Sequence, residues 1–156
     1  MTDATFEDGA EKPLRLRAFD AEDLGVISAL VQDAVFPGAE MRWSRRERRF
    51  AILLNRFRWE DAPKGARPVE RVQSVLAIEE VQNVKSQGVM PGDDVVLSVL
   101  SVAFEMLGEG PEGQVVVTLA GDGAIAIEVE ALEVVLRDVT RPYVAPSGKA
   151  PSHPEV

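Results

Sequence analysis

The chain has 156 residues, 46% of them hydrophobic, and a formal net charge of −9. That size suits one compact domain able to bury roughly 68–70% of the surface its unfolded form exposes. There is no cysteine and a single histidine, which excludes disulfides, thiolate catalysis and the usual zinc sites and fits a reducing cytoplasm.

The opening MTDATFEDGAEKP is acidic and lacks the basic and apolar stretches of a secretory signal. Val95 to Phe104, the longest near-apolar run, falls short of the ~20 residues of a membrane-spanning helix, so no membrane partner is expected. Residues 1–12 and 144–156 read as flexible, being acidic at one end and rich in Pro, Ser and Gly at the other. A single domain over 13–143 remains.

Within it, PLRLRAF (Pro13 to Phe19) alternates leucine with arginine, the period of a half-buried strand. A helix should follow, capped by Asp20, with Glu22 and Asp23 in its first turn and Leu24, Ile27, Leu30 and Val31 on one face. Phe36-Pro37-Gly38 ends that pattern. Next comes MRWSRRERRFAILLNRFRWE, Met41 to Glu60, which holds both tryptophans and seven arginines against two glutamates, a local +5 that leaves −14 for the rest. It reads as a hairpin: Met41 and Trp43 on one face, a turn at Ser44 to Arg48, then Phe50, Ile52 and Leu54 on the returning strand. After Leu54 the arginines take the phase of Phe50, which predicts a β-bulge near Asn55 or a strand buried on both sides.

Glu60 to Pro68 is a loop. Val72 to Ile78 and Val81 to Gln87 suit a helix by spacing and strands by composition; two strands joined tightly at Glu79-Glu80 are preferred. A strand from Val95 to Met106, the loop GEGPEG and a strand from Gln114 to Leu119 follow, and Gly121-Asp122-Gly123 turns into Ile125 and Ile127. Val129, Leu132, Val135, Leu136 and Val139 then form the stripe of a closing helix, with Glu128, Glu130 and Glu133 near its start. The expected class is α+β: a mostly antiparallel, strongly bent sheet or partial barrel with one helix near each end. The two ends look alike in pattern, over too few positions to decide a duplication.

FDAEDLGVISALVQDAV, RRFAILLNRFRWE and GDGAIAIEVEALEVVLRDV together resemble a family of small bacterial proteins catalogued as a domain of unknown function, across nearly all of residues 13–140. The resemblance implies no reaction, cofactor or binding residue. In similar sequences the segment AIEEV looks like a hairpin turn, in keeping with two strands over residues 72–87.

Few motifs carry chemistry. His153 lies in the predicted tail, where nothing orients its ring. GEGPEG satisfies the dinucleotide spacing GxGxxG, but a strand follows it where a phosphate-binding helix is required, and Glu109 and Glu112 oppose an anion. Ser98 and Ser101 have no histidine as base. Asp93-Asp94 and the Glu128/Glu130 pair are accounted for by turn chemistry and the helix dipole, so no cofactor is assigned, although scattered carboxylates leave a magnesium or calcium site open.

The arginine hairpin has two readings. Arg45, Arg46, Arg48, Arg49, Arg56 and Arg58 are the candidate surface for a phosphate-bearing ligand or an acidic protein, since arginine pairs bidentately with oxyanions. Alternatively Arg42, Arg56 and Arg58 form an outer sheet face paired to the acidic remainder of the chain while the charged turn residues discourage edge-to-edge aggregation, the preferred reading because Met41, Trp43, Phe50, Ile52 and Leu54 are needed for a core. The net negative charge argues against general nucleic-acid binding. A non-enzymatic cytoplasmic binding or protein-interaction domain is the expected function. The alternative is a metal-assisted enzyme acting on a phosphate-bearing substrate. A two-fold homodimer is a candidate assembly because the sheet should have open edges.

Overall fold

A computed structural model describes residues 13–58, 70–89, 92, 94–140 and 143–144. Residues 1–12, Trp59, the loop at 60–68, Asp93 and the tail from 145, with its His153, lie outside them. Strand β1 (Arg15–Ala18) leads into helix α1 (Ala21–Leu30), where Asp20 in extended conformation accepts the Asp23 backbone N–H at 2.8 Å. This is the expected cap, and it satisfies a backbone donor that the helix leaves unpaired. Leu24, Ile27 and Val31 are buried.

After β2 (Val35–Pro37) and one 3-10 turn (Gly38–Glu40), β3 (Met41–Ser44) and β4 (Arg49–Phe57) form the predicted hairpin, with Met41 opposite Ile52 and Trp43 opposite Phe50. The remaining strands are β5 (Glu70–Ile78), β6 (Val81–Gln87), β7 (Val96–Met106), β8 (Gly113–Leu119), β9 (Ala124–Val129), β10 (Val134–Asp138) and β11 (Tyr143–Val144). All pairings are antiparallel, in the order β1-β10-β5-β4-β2-β7-β8-β9-β6, with β3 on β4 and β11 on β5. Val144, the first residue of the expected tail, thus pairs with Glu70.

The path has two ends, β1 and β6, so the sheet is not closed. It is bent, because β2 bridges β4 to β7 on one side while two chain segments cross between the halves on the other. At that corner the Glu79 N–H donates to the Glu133 carbonyl at 2.9 Å and the Glu130 N–H to that of Glu80 at 3.0 Å. The β5:β10 and β6:β9 ladders are therefore two arms of one folded ribbon. Residues from both arms and from α1, among them Leu76, Ile127 and Ile27, share a single core.

Three expectations are corrected. Among the described residues there is no second helix: Val129, Leu132, Val135 and Leu136 are buried as the stripe required, but Val129 ends strand β9, Val135 and Leu136 lie in β10, and Val139 is exposed. Here β10 bonds to β1 on one side and β5 on the other; a helix in its place would leave β1 without a ladder partner and open one edge of β5. Glu79-Glu80 does join two strands, yet not as a hairpin. Its strands pair with different partners, and Glu80 takes the left-handed conformation (φ 58°) that turns the corner. Finally, of the two arrangements expected after Leu54 the bulge is absent, since β4 pairs β5 in unbroken register from Phe50↔Ile78 to Phe57↔Arg71, while burial on both sides is seen where Arg56 and Phe57, on opposite faces, are both buried. Arg56 continues the inward face of Phe50, Ile52 and Leu54 and is fully buried.

The hairpin turns follow local chemistry. Gly121 and Asp122 have φ of 84° and 72°, the chirality that suits the twist of two-stranded ribbons. The string GEGPEG closes the β7–β8 hairpin. Its last residue must be glycine, because a Cβ at Gly113 would lie 2.4 Å from the Glu105 carbonyl oxygen and 2.5 Å from the Phe104 ring.

Candidate functional site: an arginine-lined cup

The six candidate arginines do not form one surface. Arg56 is inside: its Nη2 donates to Asp138 Oδ1 at 2.9 Å, its Nε to Ser74 Oγ at 3.0 Å and its Nη1 to the Phe57 carbonyl at 3.2 Å. Asp138 Oδ1 also accepts the Ser74 hydroxyl at 2.7 Å, and its Oδ2 accepts the Leu14 N–H at 2.9 Å. One buried network thus ties β1, β4, β5 and β10 together. Arg58 is buried as well and pairs with Glu70 Oε1 at 3.0 Å.

At the hairpin turn, Arg48 reaches Glu130 and, at 3.8 Å, Glu80, while Arg49 holds Glu79 at 2.8 Å and Glu47 at 3.7 Å. The hydrogen bond that Arg49 donates to Glu79, together with that carboxylate's charge, pushes the Arg49 pKa above its ordinary value despite some desolvation, so this guanidinium stays charged. These arginines clamp the acidic corner between the two sheet halves. Arg45, exposed, sits 5.9 Å from the centre of the Trp43 ring, and Arg46 is exposed.

A different arginine cluster emerges from the register. Residues that alternate with the core positions project from the outer face of the half-sheet β1-β10-β5-β4-β3. There Arg17 lies opposite Val135, Val135 opposite Ala77, Ala77 opposite Ala51 and Ala51 opposite Arg42. The next row puts Arg15 opposite Arg137, and Arg137 opposite Val75. Together with Arg49, Ser44, Glu47 and Glu79 these side chains line a concave cup of about 500 Å³, within the usual size range of small-ligand sites.

Five arginines from four strands line that cup. Arg17 is 3.7 Å from Glu133 and Arg49 is paired as above; among the described residues, Arg15, Arg42 and Arg137 have no ion-pair partner. Only Arg49 belongs to the sequence-derived candidates. Arg15, Arg17 and Arg42 carry a legible signal, the polar phase of alternating strands, whereas Arg137 was hidden by the helical reading of its segment. That β1 and β3 flank the same half-sheet is not written in any local pattern.

Among the described residues, no group of three or more His, Cys, Asp or Glu gathers as metal ligands, and no helix is long and apolar enough to cross a membrane. The carboxylates expected at a helix start sit elsewhere: Glu128 is in β9, 3.3 Å from Lys85, and Glu130 is held by Arg48 at the corner.

Residues 14–153 match the family described as "Protein of unknown function (DUF2948)". The chain belongs to that family. The match spans every strand of this DUF2948 fold, including the five that line the cup. No curated protein and no solved structure matches the chain.

Proposed function

We propose that this DUF2948 chain is a non-enzymatic cytoplasmic binding domain whose cup receives an anionic ligand bearing phosphate or carboxylate. The observation that carries this reading is the Arg15–Arg137 pair. Like charges directly opposite on neighbouring strands repel, and stability alone would be better served by an acid or a neutral side chain at either position. An oxyanion between the two guanidiniums converts the repulsion into paired, charge-assisted hydrogen bonds. The absence of cysteine from the sequence supports the cytoplasmic placement. The metal-assisted alternative has less support, since it lacks a converging acid cluster among the described residues.

Calorimetric titration with inorganic phosphate at low and high salt tests the reading. Binding should weaken as salt rises. In Arg15→Gln and Arg137→Gln it should be lost while the melting temperature stays level or rises, because the repulsion is relieved. Undiminished binding in both variants would remove the cup from consideration.

Self-association is a second reading, favoured by exposed apolar side chains along and beside β7: Val95, Val96, Leu100, Met106 and Leu107. Sedimentation at micromolar concentration should show a species of twice 17.0 kDa; a monomer alone would set it aside.

A further inference from the structure

Charge is distributed unevenly round the cup. At the β1–β10 end, Arg15, Arg17 and Arg137 line the cup, and Arg17 lies 3.7 Å from Glu133. At the hairpin end, Glu79 and Glu47 already engage Arg49, leaving Arg42 beside Ser44. One end is thus a concentrated anion site, and the other is nearly neutral.

The floor between them is a single cross-strand row, Val135, Ala77 and Ala51. None of these side chains can hydrogen-bond, and the two alanines leave the sheet low where larger residues would fill it. With strands about 4.8 Å apart the row is roughly 10 Å long, the span of one aromatic ring with its substituent. Val135 and Ala77 are already largely covered and Ala51 is half-buried, so an inorganic ion held at the arginine end makes no use of this floor, whereas a ring lying on it would remove its own apolar surface from water. A polyanion laid along it would bring its second charge against Glu47 and Glu79.

We infer that the cup is built for a single anionic head on an apolar body: a phosphate monoester or carboxylate whose oxygens sit between Arg15 and Arg137 and whose ring or short hydrocarbon covers Val135, Ala77 and Ala51. This rests on the anion-binding reading above. Orientation follows from the charge asymmetry, head toward β1 and β10, with a polar substituent at the far end meeting Arg42 and Ser44.

The test is titration of the full chain with three probes, inorganic phosphate, pyrophosphate and phenyl phosphate, repeated on Arg137→Gln and Ala51→Asn. Phenyl phosphate should bind roughly tenfold or more tighter than inorganic phosphate, because its ring leaves water for the floor. Arg137→Gln should abolish binding of all three. Ala51→Asn, whose fold is checked by its melting curve, should remove the advantage of phenyl phosphate over phosphate; Ala51→Ser is the milder substitute should the first variant melt early. Equal affinity for phosphate and phenyl phosphate, both lost in Arg137→Gln, would overturn the inference while the anion site stands, as would a preference for pyrophosphate. Binding of no probe would remove the anion site and the inference together.

Discussion

Replacing Asp138 by asparagine changes almost no volume but removes the carboxylate to which Arg56 donates, Arg56 having a side chain of 0% exposure against 2% for that of Asp138. The guanidinium cannot turn to water from that position, and the asparagine amide must also receive the Ser74 hydroxyl and the Leu14 N–H that the carboxylate accepts. Removing one partner of a buried pair costs about 3–5 kcal/mol, which for a domain of this size lowers the melting temperature by roughly 6–20 °C. Arg56→Met alone should cost a similar amount by leaving the carboxylate short of its strongest partner. The double variant, Arg56→Met with Asp138→Asn, leaves no buried charge, so its loss should fall below the sum of the singles by about 2 kcal/mol or more. Urea unfolding of the four proteins closes this cycle. Strictly additive losses, or a single-variant cost under about 1 kcal/mol, would show that the pair is solvated and that the network does not join the strands as argued.

Other expectations follow from the same contacts. Gly113→Ala should destabilise by about 1–3 kcal/mol in thermal unfolding, because its Cβ meets the backbone of β7 at 2.4 Å. Asp20→Ala should cost about 1 kcal/mol through loss of the α1 cap, read by the same melts. Replacing exposed Arg45 and Arg46 by serine should shift stability by no more than about 1 kcal/mol per residue. Phe50→Ala, at a position only 3% exposed, should cost about 3–5 kcal/mol and mark the hairpin's inner face as core whatever its outer face binds.

Sequence alone determined what is local. The Asp20 cap, the α1 face, the β3–β4 hairpin and the Gly121–Asp122 turn each follow from side chains within a few residues of one another, so their chemistry is legible in the string. Which residues are inside was largely legible as well, since burial in a strand follows an alternation that is itself local; even Leu132 and Leu136, given the wrong backbone, were placed correctly in the core. What only the tertiary structure decided depends on which strands become neighbours. The Glu-, Ala- and Leu-bearing segment from Glu128 to Val139 has the spacing of a helix, and it is extended because flanking strands on both sides offer ladder hydrogen bonds. Arg56 occupies a core phase because Asp138, 82 residues away, arrives beside it. The cup has the same origin: Arg15, Arg42 and Arg137 meet only because β1 and β10 pair and the sheet returns β3 to the same face, and no pattern shorter than the fold contains that information.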